Sequence, residues 1–330
     1  MKRKNKVNII YAIVFIGIVS ILRLTYPLPS KILGKLEREI EMGLPISNIK
    51  LSPNFIDIAV GVETPHPLSI PDQEMDFPIT ILGSLKFETK HKLYGHKSSV
   101  ETLAFTSDSK LLLSADRAGE IIVWNLETGK ETLRISTNHY VHKAMFDNTN
   151  KRIIAINGFQ QRVMVYSLKG RLIKELNLKS TINDFEYNPT TNDAYFLCSD
   201  GIQVWSLNSW SIIKSLPLKT GDCIKYNNDH SLLAIGTYKG DIILMNSELT
   251  DKTILKGHFK NIESLCFSAD DIKLGSSSQD QTARIWSIRK GEEVFQLTNE
   301  HKGNVSSIEF ISLVYTFVTG GKDAKLKYWD

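Results

Sequence analysis

The stretch GHFKNIESLCFSADDIKLGSSSQDQTARIW, residues 257–286, contains three short apolar runs cut apart by polar turns. Ile262, Leu265 and Phe267 lie in the first run, Ile272 and Leu274 in the second, and Ala283 and Ile285 in the third. Runs this short, alternating or nearly so, predict strands rather than helices. Gly257-His258 opens the stretch and Trp286-Ser287 closes it, with Asp280 six residues before the tryptophan in the turn ahead of the last strand. One such sheet cannot bury both of its faces alone, so the pattern is expected to recur.

It does. At the C-terminal end, Glu300-His301 leads to Val305, Ile308 and Phe310, then to Thr319 and Asp323, and ends at Tyr328-Trp329-Asp330. Upstream, Gly95-His96 leads to Val100, Leu103 and Phe105 and on to Val123-Trp124, and weaker copies close at Tyr166, Trp205 and Met245. The closing positions 124, 166, 205, 245, 286 and 329 are spaced by 42, 39, 40, 41 and 43 residues. A first-strand aromatic falls at Phe105, Phe146, Tyr187, Tyr226, Phe267 and Phe310, spaced by 41, 41, 39, 41 and 43. Two markers that keep phase make a chance period untenable. On Gly257-His258, the turn Ser278-Gln279-Asp280 and the closing Trp286-Ser287, the chain resembles the WD40-repeat family, whose units run at about 40–45 residues per four-stranded blade. The resemblance implies an all-β, WD40-type β-propeller over 45–330.

Six repeats occupy 95–330. Residues 45–94 are expected to form a degenerate first blade, because Leu82 lies 42 residues before Trp124, in phase. There Ile46, Ile49 and Leu51 form a first strand, Phe55 to Val62 a second and Ile79 to Leu82 a third, with an inserted loop over Glu63 to Pro78. Seven blades result; a six-bladed ring starting near residue 86 is the alternative. The last repeat stops at its third strand, so its outer strand must come from the N-terminal side, since open sheet edges invite aggregation. For seven blades that strand lies in 35–43, inside a tether, 31–44, that reads either as a short helix or as an extended strand on the propeller edge.

Residues 1–30 differ in kind. Lys2, Arg3, Lys4 and Lys6 precede an apolar run from Val7 to Leu22, followed by Arg23 and Tyr26. A basic start and an apolar core without a convincing cleavage site read as an uncleaved signal anchor, a transmembrane helix, with secretion after cleavage as the alternative. The basic cluster should stay in the cytoplasm and place the propeller on the other side. The formal net charge of +4 is too small to argue for nucleic acid. The three cysteines, Cys198, Cys223 and Cys266, fall in different blades and read as buried free thiols rather than a disulfide framework or a metal site.

The family resemblance implies a structural hydrogen-bonded set in a blade: the His of the Gly-His pair, a second-strand Ser or Thr, the turn Asp and the closing Trp. It carries over to His258, Ser276, Asp280 and Trp286, and to His301, Thr319, Asp323 and Trp329. The blade ending at Trp124 keeps His96 and Ser114, with Ala118 at the Asp place, and the middle blades lack the set. No catalytic motif, P-loop or metal-ligand spacing is found, and the His139/His142 pair falls on opposite faces of a strand, so neither catalysis nor a cofactor is expected. The loops around the channel carry Lys97, Arg117, Phe159, Lys239, Phe259, Lys260, Gln279, Lys302 and Lys322, a basic rim with two aromatic anchors that suits an acidic peptide or protein segment. The function expected is a non-catalytic protein–protein scaffold displayed at a membrane. An envelope propeller enzyme or small-ligand binder using the channel is the alternative.

Overall fold

A computed structural model describes residues 34–330 other than 66–75, 148, 158, 160, 313 and 314. The expected anchor, 1–30, and the middle of the inserted loop lie outside the described residues. Among the described residues no helix is long and apolar enough to cross a membrane.

The described residues form twenty-eight strands. A lone strand β1 (Leu36–Glu41) comes first. The first blade is β2 (Ile46–Leu51), β3 (Asp57–Val62), β4 (Ile79–Gly83) and β5 (Thr89–Leu93). The second is β6 (Val100–Phe105), β7 (Leu111–Asp116), β8 (Glu120–Asn125) and β9 (Lys130–Ser136); the third is β10 (Lys143–Phe146), β11 (Arg152–Asn157), β12 (Arg162–Ser167) and β13 (Leu172–Asn177). The fourth is β14 (Ile182–Asn188), β15 (Asp193–Cys198), β16 (Gly201–Ser206) and β17 (Ser211–Pro217); the fifth is β18 (Gly221–Tyr226), β19 (Leu232–Thr237), β20 (Ile242–Asn246) and β21 (Lys252–Leu255). The sixth is β22 (Ile262–Phe267), β23 (Lys273–Ser278), β24 (Ala283–Ser287) and β25 (Glu292–Leu297), and the chain ends in β26 (Val305–Phe310), β27 (Phe317–Gly321) and β28 (Lys325–Trp329). Each blade is a four-stranded antiparallel meander, and in the seventh the outer position is taken by β1, giving the order β1-β28-β27-β26. The fold is a seven-bladed β-propeller, so the six-bladed alternative is set aside: residues 46–93 form a full sheet.

The two sequence markers share one register. In the sixth blade Phe267 and Trp286 both lie opposite Leu274 on the second strand. Phe105 and Trp124 lie opposite Leu112, and in the first blade Leu51 and Leu82 lie opposite Ile58. Second and third strands are buried on both faces, which is why they read as nearly continuous apolar runs. The apolar side chains gather into clusters that each span two neighbouring blades. One joins Ile154, Val165 and Leu178 of the third blade to Phe185 and Phe196 of the fourth; another joins Ile285 and Leu297 of the sixth to Phe310, Phe317 and Trp329 of the seventh. The cluster of Ile46, Ile49 and Ile58 with Val318 and Leu326 seals first blade to seventh.

The tether resolves as a strand. β1 pairs antiparallel with β28, Arg38 opposite Tyr328 and Ile40 opposite Leu326. Lys35 and Asp330 exchange backbone hydrogen bonds at 3.1 Å. Glu39 lies between Lys325 and Lys327, and the latter pair is 3.1 Å. A chain lacking residues 34–43 should expose β28 as an open edge and lose on the order of 3 kcal/mol, from several backbone hydrogen bonds at about 1 kcal/mol each. Urea unfolding with light scattering checks this; an unchanged midpoint and a monodisperse sample would contradict the closure.

Candidate interaction face at the channel mouth

Three blades carry a buried chain of side-chain hydrogen bonds. In the sixth, Trp286 Nε1–H donates to Ser276 Oγ at 2.8 Å, Ser276 Oγ lies 2.8 Å from His258 Nε2, and His258 Nδ1 lies 2.8 Å from Asp280 Oδ2. The seventh repeats it with Trp329, Thr319, His301 and Asp323, at 2.9, 2.8 and 2.9 Å. One proton arrangement satisfies every member: indole to hydroxyl, hydroxyl to Nε2, and Nδ1–H to carboxylate. The constellation has the chemistry of a Ser-His-Asp triad, yet Ser114, Ser276 and Thr319 are all fully buried and their acceptor site is taken by an indole. No substrate carbonyl can reach these hydroxyls, so the sets lock turns to strands.

The second blade corrects the expectation at Ala118. Its set is complete, because Asp116, the last residue of β7, takes the carboxylate place: His96 Nδ1 is 2.9 Å from Asp116 Oδ2 and His96 Nε2 is 2.6 Å from Ser114 Oγ. Asp116 sits two residues earlier in the turn than Asp280 does in its own, and both positions reach the imidazole. In the third to fifth blades no such set occurs among the described residues; Trp205 donates to Gln203 and Tyr166 to the Met164 sulfur. The three cysteines are free, Cys198 and Cys266 buried and Cys223 half-buried. Burial pushes all three thiols up, Cys198 to about 12, which leaves them unreactive.

A cavity of about 470 Å³ runs along the ring axis, lined by the first strands of all seven blades. Six of those strands open with a β-bulge, between Ile46 and Asn48, Val100 and Thr102, Ile182 and Asp184, Gly221 and Cys223, Ile262 and Ser264, and Val305 and Ser307. The extra residue of a bulge has no ladder partner and is turned out of the sheet. Here those residues are Ser47, Glu101, Asn183, Asp222, Glu263 and Ser306, and with His142 of the third blade they ring the channel mouth. Deeper in, the charges are paired: Lys143 with Asp184 at 2.7 Å, Lys225 with Glu186 at 3.0 Å and Lys50 with Glu309 at 2.6 Å. Burial favours neutral forms at Glu186 and Lys225, but the opposing charges more than offset it, holding the carboxyl below its ordinary value and the ammonium above. Among the described residues no group of acidic, His and Cys side chains could hold a metal ion; His142 Nδ1 is 3.0 Å from the Tyr140 hydroxyl.

Around the mouth lie the loops between blades and the turns between second and third strands. Phe159 is 77 % exposed and stacks on Tyr140 with centroids 5.6 Å apart. Phe259 is 68 % exposed and Tyr238 52 %. The fifth-blade turn Tyr238-Lys239-Gly240 abuts the His258-Phe259 backbone so closely that a Cβ at Gly240, where φ is +92°, would stand 2.3 Å from the His258 carbonyl oxygen. The expected cations divide into two groups. Lys97 pairs with Asp76, Arg117 with Glu101, and Lys322 with Glu63. Lys239, Lys260 and Lys302 have no carboxylate within ion-pair reach among the described residues, and the Gln279 side chain acts on Glu263, favouring its charged form. Sequence reading passed over Tyr140, Tyr238 and the bulge residues. The signal for the last was the position four before each first-strand aromatic, as in Glu263 before Phe267.

Burial alone would raise Asp280, but hydrogen bonds from His258 and Thr282 pull it down to about 2, and Asp323 is likewise held at about 2 by His301 and backbone donors. Burial lowers His258 as well. Both effects make the unfolded chain bind more protons in acid, so stability should fall below pH ~6.5 and again from pH ~4 towards 2. Asp280→Asn should cost about 1–2 kcal/mol at neutral pH and flatten the limb below pH 4; thermal melts from pH 2.5 to 7 check this, and parallel curves would refute it. Without buried polar sets, the third to fifth blades should open more readily, so amides of β11, β15 and β19 should exchange faster than those of β7, β23 and β27. Equal protection across the ring would count against the sets as locks.

The model of "WD domain, G-beta repeat" matches residues 87–125, 250–287 and 291–330, the second, sixth and seventh blades. A guanine nucleotide-binding protein subunit beta of Nicotiana tabacum is 24 % identical over 72 % of this chain and 58 % of its own length. The transcriptional corepressor LEUNIG_HOMOLOG of Arabidopsis thaliana is 22 % identical over 71 % of this chain and 30 % of its own. This chain thus spans little more than half of the one and under a third of the other. The crystal structure of the Cps50 (Swd1) β-propeller domain of Myceliophteria thermophila superposes with a TM-score of 0.78 over 90 % of this chain and 99 % of that one, at 14 % identity. Three matched repeats within a closed ring of seven blades support the WD40-repeat β-propeller family for this chain.

Proposed function

We propose that the chain is a non-catalytic scaffold that docks a protein partner on its mouth face and is held at a membrane, on the non-cytoplasmic side, by residues 1–30. The observation that carries the docking reading is the set of large aromatic side chains, Phe159, Tyr238 and Phe259, left exposed on that one polar face. Exposed aromatics beside an open concavity are anchors of the kind that dominate interface energy. The reading as a channel enzyme needs convergent reactive groups without structural partners; the deep charges are instead consumed in pairs and the triad-like sets are sealed. Lys239, Lys260 and Lys302 are the cations left to meet acidic residues of the partner. Relatives named as a subunit and as a corepressor agree with a role in assemblies. The basic, then apolar, N-terminal segment supports the membrane part.

A photo-crosslinking residue placed at 259, with a control at the exposed outer-strand position Ile213, tests the face in native membranes. A discrete protein adduct is expected from position 259 only. Phe159→Ala with Phe259→Ala should then weaken the isolated complex at least tenfold. Adducts at both positions, or none at 259, would overturn the reading. Protease digestion of intact cells against lysed ones tests the side of the membrane.

A further inference from the structure

The charge around the mouth is uneven. On the side of the first, second and seventh blades, Glu63 and Glu101 are matched by Lys322 and Arg117. On the side of the fifth and sixth blades the bulges present Asp222 and Glu263, and neither has a cation within ion-pair reach among the described residues. Asp222 accepts a 2.7 Å hydrogen bond from Asn261 Nδ2, a neutral donor. Glu263 is half-buried, and burial raises its carboxyl above the ordinary value, with the Gln279 side chain and the more distant Lys322 charge acting the other way. Next in the ring stands Ser306, which lines the same cavity at only 6 % exposure and whose Oγ has no hydrogen-bond partner. Two carboxylates without an ion-pair partner and a buried hydroxyl without a hydrogen-bond partner are what a site shows when its donor is a guest. Tyr238 and Phe259, exposed on the abutting loops of the same two blades, add aromatic surface suited to a cation.

We propose that Asp222, Glu263 and Ser306 form a receptor for the guanidinium of an arginine side chain on the docking partner. A planar cation with five donors matches two carboxylates and a hydroxyl better than a compact ammonium does. The channel is closed to deeper entry of free charge because Lys143, Lys225 and Lys50 already hold Asp184, Glu186 and Glu309. The site rests on the scaffold reading for the origin of the arginine but not for the chemistry of its capture. The partner segment it implies carries one arginine for the mouth, flanked by acidic residues for Lys239 and Lys260.

The test uses the full-length chain and two small probes, N-acetyl-arginine amide and its uncharged isostere N-acetyl-citrulline amide, observed by saturation-transfer NMR. The arginine probe is expected to bind in about the millimolar range and the citrulline probe at least tenfold more weakly. Glu263→Gln and Asp222→Asn, each checked for an unchanged melting temperature, should each weaken the arginine probe at least fivefold, while Ile213→Ala leaves it unchanged. Equal binding of the two probes, or arginine binding unaffected by both carboxamide variants, would overturn the proposal. Loss of the crosslinked partner with the arginine probe still bound would fail the scaffold reading alone; a partner that binds while the probe does not would fail this inference alone.

Discussion

Each blade has apolar side chains on both faces, and neither face can be left in water. A second strand such as β15 presents Phe196 and Ala194 to one neighbour and Tyr195 and Leu197 to the other. Every sheet therefore needs a sheet on either side, and the only arrangement that satisfies all of them at once is a closed ring. Closure is then a condition on the stability of every blade, because an open ring would bare two apolar faces together. This is why so much of the joint is spent at the seventh blade. The seam of Ile46 and Ile49 against Val318 and Leu326 closes it from within, and β1 on β28 closes it from outside. Charged residues on β1, among them Glu37, Arg38 and Glu39, make its free edge a poor template for another strand.

The buried hydrogen-bond sets serve the same condition by another route. Apolar packing fixes how far apart two sheets stand but says little about their rotation. A chain of three directional bonds from indole to carboxylate ties a loop between blades to the second and third strands, and so fixes angle as well as distance. Of the three blades that carry it, the seventh holds the β1–β28 closure and the sixth packs against it.

The period, the blade count and the closing strand were legible because they follow from one register, in which the first-strand aromatic and the closing residue face the same second-strand side chain. Register is a local property and leaves its mark at fixed spacing. The carboxylate of the second blade was not legible, since Asp116 and a residue two further on can both reach the imidazole and spacing alone does not choose. Nor were the pairings of the rim. Lys322 meets Glu63 across 259 residues of sequence, a proximity that exists only once the ring has closed. Loop lysines that looked equivalent in sequence are thus neutralised at one side of the mouth and left without counter-charge at the other.

The bulges explain how a fold under such strict packing can still carry a site. One residue before each of the six bulge positions stands an apolar or small side chain, Ile46, Val100, Ile182, Gly221, Ile262 and Val305, and two residues after it stands another, from Ile49 to Ile308. These are bound to the seams between blades and have no freedom to vary. The bulge residue itself is excused from the ladder and from the seam, and its chemistry changes around the ring from hydroxyl to carboxylate to amide. Replacing one of them alters the channel mouth at little cost to closure, whereas replacing its neighbour strains a blade interface. Recognition is therefore free to be written at the mouth, on a framework whose own requirements are met elsewhere, and the uneven charge between the two sides of that mouth is where this chain has written it.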